Sequence, residues 1–140
     1  MPKKIFLDAN VLVDLVNVDN DLNKQIGWLF NLIMDKKEIL FCSPTTFAIT
    51  YYFVGKKLKD KKLLNEKAKR LFSYFTFTRE DNIIMEKVKK SSFTDLEDAL
   101  QYYSAMDSGV DMIITKNHFD FSKSVIPVYH PLQYISEFLL

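Results

Sequence analysis

One cysteine and three glycines are all that 140 residues contain, and each scarcity removes a class of proteins. A single thiol, Cys42, excludes an internal disulfide and a cysteine-based zinc site. It sits in the apolar run ILFC, which predicts a buried, reduced thiol and a cytoplasmic setting. Dinucleotide fingerprints and P-loops line their phosphates with glycine, so three scattered glycines exclude both. No uncharged apolar run reaches 18 residues, so no membrane-spanning helix is expected. The apolar N-terminal run is broken at Asp8 and lacks a small-residue cleavage site, unlike a signal peptide. Repeats, low-complexity tracts and Gly/Pro/Ser linkers are also missing. A chain of this length is therefore expected to form one domain, 1–140, around one core.

What is present is a mixture typical of globular proteins, 48% hydrophobic and 26% charged. The net charge of +1 conceals an uneven distribution. Between Lys56 and Arg70, the basic residues Lys56, Lys57, Lys59, Lys61, Lys62, Lys67, Lys69 and Arg70 face only Asp60 and Glu66. That stretch carries +6, so the remainder carries −5. It reads either as a solvated helix pair with its turn or as a phosphate-attracting rim beside an acidic centre. The aromatics (12 Phe, 7 Tyr and 1 Trp) exceed what a small core must hold, which favours a dimer or partner interface.

Apolar runs and helical periodicity alternate along the chain. KKIFLD predicts a buried strand over 3–8, followed by a helix from Asn10, with NVDNDLN as a loop. Ile26, Leu29, Phe30 and Ile33 repeat at helical spacing within 22–35. EILFCS, 38–43, is a second strand. Ser43 and Pro44 then supply an N-cap and a first-turn proline for the next helix. A helix over 62–75 is expected to bury Leu64, Ala68, Leu71, Phe72 and Phe75. After it come a short strand, a helix near 80–90, and a helix over 95–107 that stops at Gly109. Strands at 111–115 and 126–129 and a terminal helix beginning near Pro131 complete the pattern. Such alternation indicates an α/β fold, a three-layer α/β/α sandwich with a central, mainly parallel sheet.

Ligands in such folds sit beyond the carboxyl ends of the strands. Asp8 ends the first strand and is followed by Asn10, while Thr115, Lys116 and Asn117 follow the strand DMII. Both groups face one crevice if their strands are neighbours. The segment SFTDLEDALQYY can present acids there too. Thr94 and Glu97 have the T-x-x-E spacing of a capping box, which gives Glu97 a structural role. Leu96, Ala99, Leu100 and Tyr103 form the expected core stripe, with Asp95 and Asp98 along one edge. Asp95 is explained by the helix dipole alone, whereas Asp98 lies where that effect fades. Clustered carboxylates raise one another's pKa unless a cation neutralises them. Hard oxygen ligands suit Mg²⁺ or Mn²⁺, so acids beside a basic segment suggest metal-dependent phosphodiester hydrolysis.

FLDANVLVDL, FTDLEDALQYYSAMDSGVDMIIT and TKNHFDF, in this order and spacing, resemble the three acidic motifs of PIN domains. The likeness spans essentially the whole chain and is greatest to small prokaryotic toxins of the VapC type. It implies the α/β/α fold, a Mg²⁺- or Mn²⁺-dependent ribonuclease, a homodimer, and an antitoxin whose tail enters the acidic groove. It also implies site residues: Asp8, Asp98 and Asp120 as catalytic acids, and Asn117 as a further metal ligand. Asp95, Asn10 and Thr115 are accessory. From the charge distribution, not the resemblance, Lys56, Lys57, Lys59, Lys61, Lys62 and Lys116 are the candidate RNA contacts. One position departs from the pattern. Relatives carry a glutamate early in the helix opened by Ser43–Pro44, and this chain has Ile49 there.

A degenerate PIN module that binds RNA or a protein without efficient cutting is the alternative. A phosphatase or receiver reading fails, because Asp8-Ala9-Asn10 lacks the second acid of Asp-x-Asp and no receiver-type acidic pair is present. His118 and His130 have no sequence partner suited to making either a general base, so both are expected to be structural.

Overall fold

In the computed structural model, residues 2–16 and 21–139 are described, with the side chains of 21–25 and 139 set aside. Five strands, β1 (Lys4–Leu7), β2 (Ile39–Cys42), β3 (Phe75–Phe77), β4 (Met112–Ile114) and β5 (Val128–Tyr129), form one sheet in the order β3-β2-β1-β4-β5. Every neighbouring pair is parallel. Such a sheet is covered on both faces, which is why its central strands read as unbroken apolar runs. Side chains alternate in direction along each strand. Ile5, Leu7, Leu40, Cys42, Met112 and Ile114 therefore join one core, and Phe6, Phe41 and Ile113 join the other.

Helices α1 (Ala9–Val16) and α2 (Asp21–Asp35) supply Val11, Leu12, Ile26, Leu29 and Ile33 to the first core. Helix α4 (Lys61–Phe72) adds Phe72, and the terminal helix α7 (Pro131–Tyr134), continued by a π-helical turn over Ile135–Leu139, adds Tyr134. The second core is closed by Tyr102 and Ala105 of α6 (Leu96–Asp107). Helix α5 (Asn82–Lys89) packs on α6, and α3 (Pro44–Lys57) packs on α1. The result is the expected three-layer α/β/α sandwich.

The Ser43–Pro44 start is realised: Ser43 Oγ accepts from the Thr46 amide at 3.0 Å, and Pro44 opens α3. Gly109, at φ 68°, lies just past α6 in the left-handed region that favours glycine. The helix expected to reach residue 75 ends instead at Phe72. Phe75 enters β3, where the β-favouring FTF run pairs with β2. Phe75 is buried as expected, but from the sheet. The loop expected at NVDNDLN falls mostly on 17–20, outside the described residues, and α2 begins at Asp21. Among the described residues, no helix is long and apolar enough to cross a membrane. Cys42 is buried, and its thiol pKa is pushed up by that burial and by the nearby Glu80 charge.

Candidate active site

The strand order places the turning point of the sheet between β1 and β4, since the chain winds outward from it in both directions. Crevices at the carboxyl ends of such strands are where ligands bind in this architecture. Asp8 leaves β1 there and Thr115 leaves β4, and the Asp8 amide donates to the Ile114 carbonyl at 3.0 Å. Asp8 is 4% exposed and Thr115 is fully buried. The Thr115 hydroxyl donates to Asp8 Oδ2 at 2.8 Å and accepts from the Asn117 amide at 3.1 Å. Asp8 Oδ1 accepts from the Ala9 amide at 2.7 Å. Asn10 Nδ2 lies 3.3 Å from both Asp8 Oδ2 and Thr115 Oγ1, and Asn10 Oδ1 accepts from the Lys116 amide at 3.1 Å. Asn10 and Thr115 thus hold the orientation of Asp8. Thr115→Val removes the hydroxyl from a buried carboxylate and is expected to cost about 1–3 kcal/mol in denaturant unfolding.

The start of α6 differs from the expected capping box. Asp95, not Thr94, is the N-cap, and its carboxylate accepts from the Glu97 amide at 2.8 Å. Aspartate is at least as good a cap as threonine. With the helix starting one residue later, Glu97 no longer occupies the position from which a capping box reaches back. The buried face is also rotated: Asp98, Ala99, Gln101, Tyr102, Ser104 and Ala105 are buried, while Leu96 is 57% exposed. Asp98, expected at the stripe's edge, is 7% exposed within it.

Asp8, Asn10, Asp14, Ile49, Glu97, Asp98 and Asn117 line a cleft of about 330 Å³. A second hollow of about 350 Å³ lies on the other side of Asp98 and is bordered by Asp95, Phe119, Asp120 and Lys123. Asp98 belongs to both. Burial raises its pKa to about 7, reinforced by the charges of Asp95, Asp8, Asp120 and Glu97. Asp8 is also raised, chiefly by burial and further by Asp95 and Asp120, against the lowering effect of its bonds to Thr115 and Ala9. Glu97 is raised by burial and then by Asp95 and Asp8. These acids oppose one another's ionisation, the condition that a hard cation relieves. Carboxylate and amide oxygens are the donors for such an ion. Among the described residues no three His, Cys, Asp or Glu side chains are placed so that they could hold a metal ion by themselves. An open oxygen-rich cleft of this kind fits an ion that keeps several of its own waters.

Asp8, Asn10, Asp98, Thr115, Lys116 and Asn117 are thus brought together, with Asp95 and Asp120 across Asp98. Lys116 forms an ion pair with Asp14. Lys56, Lys57, Lys59, Lys61 and Lys62 do not line the cleft. Lys56 stands seven residues beyond Ile49 on α3, about 10 Å along the axis. His130 Nδ1 accepts from the Leu132 amide at 3.1 Å and caps α7, the expected structural role. Two contributions were not legible in the sequence. Glu97 lines the cleft, and Gln101, fully buried, accepts from Ser43 Oγ at 2.9 Å and ties α6 to the head of α3. A one-turn offset from Asp98 is the only sequence signal for Gln101. A larger cavity of about 510 Å³ between α1, α3 and α4 is lined without any acid among the described residues.

The family model of the PIN domain matches residues 4–118. Ribonuclease VapC1 of Aquifex aeolicus (strain VF5) is 26% identical over 128 residues, covering 88% of each chain. A chain of the Rickettsia felis VapBC2 structure, bound to a promoter DNA fragment, superposes with a TM-score of 0.64 at 16% identity, covering 91% of this chain and 97% of that one. A chain of FitAB bound to an IR36 DNA fragment gives a TM-score of 0.67 at 20% identity, covering 91% and 94%. The family model takes in β1 to β4 and ends before β5.

Proposed function

This chain belongs to the PIN domain family, and from that premise we propose that it is a Mg²⁺- or Mn²⁺-dependent endoribonuclease, the toxin of a toxin–antitoxin pair acting in the cytoplasm. The observation that carries this reading is the meeting of Asp8 and Asp98, both nearly buried, at the turning point of the sheet. Asp8, Asp98, Asn117 and Asp120 are the residues that would hold the ion. When bound, the ion supplies Lewis acidity that activates water and stabilises charge on the phosphodiester oxygens. The chain's own residues set up that chemistry. Thr115 and Asn10 fix the Asp8 carboxylate, and Asp95 adds charge from the head of α6. Lys116 neutralises Asp14 at the cleft wall, so Asp14 adds little repulsion. The lysines from Lys56 to Lys62 draw the RNA backbone toward this end of the molecule through long-range attraction.

A protein antitoxin is supported by the neighbours captured as VapBC2 and FitAB complexes. A homodimer is supported by exposed aromatics such as Tyr52, at 66%, and Phe119, at 81%.

The test is incubation of a mixed RNA pool with the protein in EDTA, Mg²⁺ or Mn²⁺. Cutting is expected only with the added ion. One observation favours a second reading: Ile49 presents an apolar side chain to the cleft. RNA or partner binding without cutting in either metal establishes the degenerate binding module instead.

A further inference from the structure

We infer that the corner where α3 meets α4 is a subsite for an unpaired stretch of RNA, with Tyr52 stacking on a base and Lys56, Lys59 and Lys61 meeting its phosphates. The inference rests on the ribonuclease reading above and deepens it by naming where the strand lies outside the acidic cleft. Ile49, Tyr52 and Lys56 recur at i, i+3 and i+7, so they share one face of α3. Ile49 lines the cleft, Tyr52 follows about 4.5 Å further along the axis, and Lys56 about 10 Å further. At its far end the stripe opens into a hollow of about 410 Å³, with Leu58 and Leu64 in its lining and the exposed Tyr52, Lys56, Lys59 and Lys61 around them.

The chemistry of this corner suits a single strand. Tyr51 is committed to structure, since its hydroxyl donates to Asn65 Oδ1 at 2.6 Å and ties α3 to α4. Tyr52 is 66% exposed, and Lys56 Nζ lies 4.5 Å from the centre of its ring. An exposed aromatic face beside cations holds bases and phosphates together in single-stranded nucleic acid, and it needs a base that is not already stacked in a duplex. Asp60 is the single acid between Pro44 and Asn65, and its carboxylate is turned onto the α4 amides of Lys62 and Leu63, at 3.0 and 3.2 Å. Among the described residues Lys56, Lys59 and Lys61 join no ion pair, so their charge is left for a polyanion. A second copy of the chain is the rival occupant. Across a two-fold axis these lysines would meet their own copies, a repulsion that a phosphate strand turns into attraction. Phe119 remains as the exposed aromatic for a dimer contact.

The experiment is fluorescence anisotropy of the full chain with a short labelled oligoadenylate in EDTA, where binding is read without cutting. The duplex of that strand with oligouridylate, and a strand of equal length lacking bases, are the companion probes. Wild type is expected to bind oligoadenylate more tightly than the duplex. Tyr52→Ala is expected to bind oligoadenylate about tenfold more weakly, Tyr52→Phe to bind it as wild type does, and neither to alter binding of the abasic strand. Lys59→Gln combined with Lys61→Gln is expected to weaken binding of all three probes and to lower the oligoadenylate salt slope by about 1.4, at about 0.7 per phosphate. Thermal melting verifies that each variant folds. Unchanged oligoadenylate binding in Tyr52→Ala, or an equal loss for the abasic strand, overturns base stacking at this corner. A lower mass of Tyr52→Ala in light scattering, with RNA binding intact, gives the surface to a second copy and overturns it too. The nuclease reading stands or falls separately. Wild type that cuts with Mn²⁺ while Tyr52→Ala binds normally loses only the subsite, and wild type that never cuts while the Tyr52 effect holds loses only the nuclease.

Discussion

Replacing Asp98 with asparagine is expected to slow Mg²⁺- or Mn²⁺-dependent RNA cleavage on the order of a thousandfold, about 4 kcal/mol in the barrier. The magnitude follows from position. Asp98 is the acid shared by the cleft containing Asp8 and the hollow containing Asp120, and it lies on the buried face of α6. Asparagine preserves its shape and one oxygen but removes the charge that, on the proposed reading, would hold a divalent ion. The fold should survive, because the substitution removes a carboxylate whose ionisation burial already opposes. Single-turnover cleavage by folded Asp98→Asn protein, compared with wild type at saturating metal, measures the effect. A variant that cuts at the wild-type rate removes Asp98 from the reaction.

The second large effect concerns stability without metal. In the folded protein the Asp98 pKa is about 7, against 3.8 for an ordinary aspartate, and Asp8 and Glu97 shift in the same direction. Between about pH 4 and 7 the folded chain therefore binds more protons at these sites than the unfolded chain. Stability falls as pH rises through that window and stays low above it. In EDTA, the melting temperature is expected to be higher near pH 5.5 than at pH 8. Asp107 has the opposite sign: its pKa is lowered by its bond to Arg79, so its contribution is lost only below the ordinary aspartate range. Two further measurements isolate the acidic cleft. Asp98→Asn should flatten the profile between pH 5.5 and 8, and Mn²⁺ should raise the melting temperature at pH 8 more than at pH 5.5. A profile equally steep in wild type and Asp98→Asn places the effect elsewhere.

Most of the architecture was legible because it rests on simple patterns. The central strands are apolar on both faces, the Ser43–Pro44 pair marks a helix start, and Gly109 marks a helix end. Asp8 was legible for the same reason, as an acid ending an apolar strand. The errors cluster where polar residues are buried. Gln101 Oε1 and Ser104 Oγ lie inside α6's packed face bonded to Ser43 and the Arg79 carbonyl, while Gln101 Nε2 has no hydrogen-bond partner among the described residues. Without those partners in view, the apolar spacing pointed to a stripe through Leu96, which is in fact exposed. The same uncertainty put Thr94 at the cap and gave Glu97 the wrong task. Phe75 misled differently: an aromatic at helical spacing fits a helix face and a strand equally well, and pairing with Leu40 decides between them.

The bond from Thr115 to Asp8 spans 107 residues and joins the ends of two neighbouring strands. During synthesis, a ribosome adding roughly 5–20 residues per second takes about 5–20 s to travel from one to the other. Throughout that interval Asp8 exists but has neither its positioning hydroxyl nor the strand that packs beside it. Asp98 also emerges only late in the interval. The acidic centre is therefore among the late features of the chain to be assembled, so a growing polypeptide carries it unfinished.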